Sequence, residues 1–135
     1  FYGPYNKLLH ALFPTDTDFT VTPQYLQIGS TRVVNFLVTY EVLPRNRPVF
    51  VLALKAPREL VYISNRQDAD EQMRRRLADL RDTCPIPTLH GVCTMGTRLC
   101  FYHVPSGNQN AVIYPPVIPR HCRASTAIVH WLPWP

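Results

Sequence analysis

The stretch RPVFVLALKAP, residues 47–57, decides how this chain is read. Six apolar residues run from Val49 to Leu54 and end on Lys55, one of two lysines in the chain. A second run, TRVVNFLVTYEV at residues 31–42, is likewise of strand length and rich in β-branched residues. Between them Pro44-Arg45-Asn46-Arg47-Pro48 has turn chemistry, so the two runs read as neighbouring strands. Side chains alternate along a strand, which predicts Val49, Val51, Ala53 and Lys55 on one face. The same rule groups Val33, Asn35, Leu37, Thr39 and Glu41. A cation at the end of an apolar run is costly unless its ammonium reaches water or an anion. The plain reading is a strand end with a snorkelling lysine. The sharper one is a site, because local rules are broken where function needs it.

Length and composition bound what such a site can serve. At 135 residues the chain predicts a single domain with a core of its own. Its 46% hydrophobic and 17% charged content is globular, not disordered. The net charge is +5, and arginine outnumbers lysine twelve to two, a bias suited to phosphate or carboxylate partners. No signal peptide is visible, and no apolar run approaches the roughly 18 residues of a membrane span. Cysteines at 84, 93, 100 and 122 form no CxxC pair, so buried thiols in a reducing, intracellular setting (cytoplasmic or nuclear) are expected, with no membrane partner. Cys84, His90, Cys93 and Cys100 match no standard zinc spacing.

Read in order, residues 4–12 predict a helix with Pro4 at its start and Tyr5, Leu8, Leu9 and Leu12 on one face. Pro14 ends it, and Asp16 and Asp18 follow in a turn. FTVTPQYLQI (19–28) reads as a strand interrupted by Pro23, and Gly29-Ser30 as a turn. SNRQDADEQMRRRLADLRD (64–82) is the clearest helix. Ser64 is its expected cap, with Asp68, Asp70 and Glu71 at the positive end of the dipole. Ala69, Met73, Leu77 and Leu80 form the apolar stripe. TLHGVCTM (88–95) and TRLCFYHV (97–104) read as a hairpin turning at Gly96-Thr97, with Cys93 opposite Cys100. The element order α-β-β-β-α-β-β predicts an α/β (α+β) fold with a mixed sheet flanked by helices. Residues 1–104 make its core, and 105–135 an irregular extension packed on it, with Trp131 and Trp134 anchoring the tail.

That order and these motifs resemble the PD-(D/E)xK, restriction-endonuclease-like superfamily, and within it a set of small fungal proteins carrying that core. The carriers of the resemblance are FYGPYNKLLHALFP, VTPQYLQ, VVNFLV, PVFVLALKAP, SNRQDADEQMRRR and LHGVCTMGTRLCFYH, all within residues 1–104. In the superfamily an acid on the second strand and the Glu of an E-x-K on the third hold Mg²⁺, and the lysine positions or activates water. Lys55 matches that lysine, and Gln72 resembles the helix glutamine of the exonuclease-like branches. Gln24 falls where some branches carry Gln or Glu. Asn35 stands where the acid belongs, and Ala53 stands where the glutamate belongs.

The resemblance therefore implies a degenerate, inactive site. An amide offers one neutral oxygen to a hard cation and alanine offers none. Natural or engineered, Asp→Asn and Glu→Ala silence such a centre alike. No cofactor is expected of the chain as it stands, and Mg²⁺ belongs to it only if the site is active or restored. Glu59 and Asp70 are the carboxylates best placed to substitute, with Glu71 beside Asp70; these would make an active nuclease with migrated ligands. Two non-catalytic roles follow. One is nucleic-acid binding, DNA or RNA, through a basic cleft of Lys55, Arg58, Arg66, Arg74 and Arg76, with steep salt dependence. The other is a protein-interaction or assembly module, with a protein partner or as a homodimer, through a sheet edge and the aromatic termini.

Overall fold

A computed structural model describes residues 2–28, 31–42, 45–117 and 132–133, with residues 24–46 described by the course of their backbone. The Gly29-Ser30 turn, Cys122, Trp131 and Trp134 lie outside the described residues. Helix α1 (Tyr2–Leu12) leads into three antiparallel strands, β1 (Phe19–Ile28), β2 (Thr31–Val42) and β3 (Arg45–Lys55). A 3₁₀ turn (Pro57–Val61) and helix α2 (Ile63–Leu80) then cross to β4 (Thr88–Met95), which lies parallel to β3. The hairpin to β5 (Arg98–Pro105) and a two-residue strand β6 (Leu132–Pro133) complete one mixed sheet in the order β1-β2-β3-β4-β5-β6. The predicted order of helices and strands holds. A parallel β3–β4 pair needs a crossover, and the 63–80 helix supplies it.

Alternation along β3 builds two cores. Val51 and Ala53 pack with Ala69, Met73 and Leu77 of α2 and with Leu89, Cys93, Cys100 and Tyr102. Leu52 and Leu54 turn to the other face, against Leu9 of α1, with Phe13, Phe19 and Phe50 around them. Gly91 lets α2 close on β4, since a Cβ there would stand 2.9 Å from Met73 Sδ. Gly96 takes φ +61 in the two-residue turn, as expected, and sets Cys93 opposite Cys100.

Several local expectations need correction. Val49 does not share a face with Lys55; it packs with Leu9, Leu52 and Leu54. Val38 pairs with Phe50 and Thr39 with Pro48, so Val49 is an extra, bulged residue. Pro48 has no N–H to give a ladder, and a bulge is where a strand tolerates that. The supposed turn at 45–48 lies inside β3, paired from Arg45 to Val42. Pro23 does not interrupt β1; it pairs with Phe36 on an edge strand, where a missing donor goes unmissed. Helix α2 starts one residue before Ser64, its N-cap is Tyr62, and its first turn holds no acid. Asp68, Asp70 and Glu71 therefore sit past the positive end of the dipole. Helix α1 likewise begins at Tyr2, ahead of Pro4, and of its expected apolar face only Leu9 is buried.

The tail is more regular than expected. His103 and Tyr114 exchange backbone hydrogen bonds of 3.0 and 2.9 Å, and Leu132–Pro133 pairs with Leu99 and Arg98 of β5. Ala111 and Ile113 pack against the α2-side core.

Candidate functional site

The ladder registers bring Gln24, Asn35 and Ala53 into one row. Gln24 stands opposite Asn35, Asn35 opposite Ala53, Ala53 beside Cys93, and Cys93 opposite Cys100. Lys55, two residues along β3, is buried at 4% exposure beneath α2. Its Nζ donates to Gln72 Oε1 at 2.7 Å. Sequence reading singled out Lys55 and Gln72 separately, and the β3–α2 crossover joins them. The bond gives a buried ammonium a neutral acceptor, worth about 1.5–3 kcal/mol for a charged group.

A second polar cluster lies beside the first on α2. Asp70 is buried; its Oδ1 accepts from the Tyr102 hydroxyl at 3.0 Å and its Oδ2 from Arg74 Nε at 2.7 Å. Arg74 also donates to the carbonyls of Ile113 at 3.0 Å and Pro115 at 2.5 Å, and its guanidinium lies 5.7 Å from the Tyr102 ring centre. Neither Tyr102 nor the Asp70–Arg74 pair was singled out as a unit, although their i,i+4 spacing was visible. The thiols facing this cluster are free. Burial pushes Cys93 well above the ordinary thiol range, with the nearby Lys55 charge opposing, and pushes Cys100 up to about 11. Burial is also the main cause that raises the Tyr102 phenol. Both thiols are thus protonated, poor nucleophiles at neutral pH.

This donor set does not suit Mg²⁺. Ala53 offers no oxygen, the Gln72 oxygen is engaged by Lys55, and both Asp70 oxygens already hold donors. Glu59 lies on the 3₁₀ turn beside a small cleft lined by Arg58, Val61, Tyr62 and Asn65, apart from Asp70's bonded cluster. Among the described residues no three His, Cys, Asp or Glu gather as metal ligands. Cys93 and Cys100 point into the α2-side core, whereas His90 is exposed on the other face, so the zinc spacing considered above does not close.

The five candidate cations do not form one surface. Lys55 and Arg66 are buried, and Arg66 donates to the Leu60 carbonyl. Arg74 is bound to Asp70 and to the tail carbonyls, Arg76 is half-buried, and Arg58 is exposed. The interior position of Arg66 and the strap made by Arg74 correct the expectation of a cleft built from all five. Arg66 turns back to a carbonyl of the preceding 3₁₀ turn and Arg74 reaches carbonyls distant in sequence, neither of which helical periodicity reveals.

The opposite face of the sheet has another character. Between α1 and the outer halves of β4 and β5 runs a groove of about 590 Å³ whose lining holds no Asp, Glu, Lys or Arg. Leu12 and Phe101 line it at 62% and 54% exposure. No family model, curated protein or solved structure matches the chain.

Proposed function

We propose that this chain carries a nuclease-type α/β core whose metal-dependent phosphodiester-cleaving centre is silent, and that its role is recognition without catalysis. One observation carries the reading: the lysine that would serve water is buried and bonded to Gln72, with alanine at the neighbouring ligand position. An in-line displacement on a polyanion needs its developing charge neutralised, and among the described residues no carboxylates gather to hold a metal that would do so. Incubation with single- and double-stranded DNA or RNA, with Mg²⁺ or Mn²⁺, is expected to give no cleavage above that of Lys55→Ala. Turnover abolished by Glu59→Gln or Asp70→Asn would instead assign an active enzyme with migrated carboxylates.

Between the two recognition roles, the exposed apolar groove favours a protein partner. Contiguous apolar surface of this kind commonly marks an interaction site. Nucleic-acid binding would rest first on the exposed Arg58, with Lys55, Arg66 and Arg74 bonded within the fold. Oligonucleotide affinity is expected to be weak at low salt. Tight binding with a steep salt slope, weakened by Arg58→Ala, would favour nucleic acid.

A further inference from the structure

The hairpin places two imidazoles side by side on the face turned away from Lys55. His90 stands opposite His103 in the β4–β5 ladder. Antiparallel pairs alternate between hydrogen-bonded and non-hydrogen-bonded. Met95 and Arg98 flank the two-residue turn and close it as a bonded pair, so counting back makes His90–His103 a non-bonded pair. Two facts agree with that count. Pro105, which has no N–H, falls opposite Thr88 in another non-bonded pair. The His103 N–H and C=O both bond to Tyr114, on the side away from β4. Non-bonded pairs bring Cα atoms to about 4.5 Å, the closest approach a sheet offers its side chains.

The rings exploit that approach. Their centroids are 6.4 Å apart at 41°, and both residues are exposed. For one nitrogen of each to reach a common ion at about 2.0–2.1 Å in tetrahedral geometry, the ring centres must approach by about 1 Å, a χ1 adjustment open to the exposed His90. Tyr114 stacks on His103 at 5.3 Å and 12°, which restricts that ring before any ligand arrives. Both histidines border the uncharged groove, so no Lys or Arg of its lining repels a cation.

We infer that His90 and His103 form a two-imidazole site for a late first-row divalent cation, Zn²⁺, Cu²⁺ or Ni²⁺, with water in the remaining positions. Imidazole selects these ions over Mg²⁺ and Ca²⁺. The site lies across the sheet from Lys55 and stands whether or not that centre is silent.

The test is calorimetric titration of the full chain with Zn²⁺ in a non-coordinating buffer, with Cu²⁺ as a paramagnetic probe. Both histidines are exposed, so His90→Gln and His103→Gln keep the fold, verified by circular dichroism. Each is expected to weaken the saturable site by at least about tenfold. His10→Gln, on α1 and outside the lining of the groove, is expected to leave it within a factor of about three. Bound Cu²⁺ should show coupling to two imidazole nitrogens, reduced to one in either single variant. Undiminished affinity in both His90→Gln and His103→Gln, or no saturable binding by the parent chain, overturns the assignment.

Discussion

The two faces of the sheet differ in what they bury. Beneath α2 lie ionisable groups, Lys55, Asp70 and Tyr102, each sealed from solvent and each given a partner. Beside α1 the surface is apolar and open, with Leu8, Leu12 and Phe101 exposed at 37%, 62% and 54%. Polarity and accessibility have come apart. Lys55 is buried and already bonded, and the open groove on the other face holds no carboxylate or ammonium. A buried polar residue is thus weak evidence of a working site until its partners are known. Here the partners complete the fold.

Substitutions can break that contrast. Leu77, wholly buried under α2, should lose about 2–5 kcal/mol on Leu77→Ala, measured by urea denaturation. Leu12→Ala on the open face should stay within about 0.5 kcal/mol. Similar losses at the two would mean that the faces are packed alike.

Next in size is the Lys55–Gln72 bond. Gln72→Leu takes the named acceptor from a buried ammonium and should cost about 1.5–3 kcal/mol. Lys55→Met/Gln72→Leu, which removes both partners, should recover much of that loss. A double-mutant cycle with no coupling would show that the bond does not hold the lysine.

Alkaline pH probes the sealed thiols. The native thiols keep their protons while the unfolded chain ionises above pH 9.0, so stability is full below 9.0 and falls as pH rises. For Cys100 the loss runs from 9.0 to about 11, at up to about 1.4 kcal/mol per pH unit. Cys100→Ala should flatten that slope in denaturation curves taken across the range. An unchanged slope would mean that the thiol is already solvated in the native state.

The smallest effect belongs to the exposed Arg75–Glu71 pair at 3.7 Å. Arg75→Ala should change stability by less than about 0.5 kcal/mol. A larger loss would place helix α2's outer face in contact with something.

The sequence made legible whatever depends on short-range pattern. The Ala69-Met73-Leu77 stripe, the Gly96-Thr97 turn and the Cys93–Cys100 register follow from periods of about 3.6 and 2 and from turn chemistry. The special standing of Lys55 was visible as well, because a lysine ending an apolar run breaks pattern, whereas Gln72 was singled out by resemblance alone. What escaped depends on distant neighbours. Val49 leaves its face because of a bulge set by the ladder with β2, and Pro23 is tolerated because β1 is an edge. Arg74 reads as a helix-surface cation until the carbonyls of Ile113 and Pro115, some forty residues away, arrive beside it. Tyr102 gained its role only when the hairpin brought its hydroxyl to Asp70.

The proposed silence of the Lys55 centre turns on its missing carboxylates. The measurement that tests it most directly compares this chain with Asn35→Asp/Ala53→Glu for Mn²⁺ binding and for cleavage of labelled DNA and RNA. The parent is expected to be inert, and the double variant, once shown to be folded, to bind the ion and cleave. Lys55→Ala in that background should abolish the cleavage. Cleavage by the parent chain, or a folded double variant that binds no metal, would contradict it.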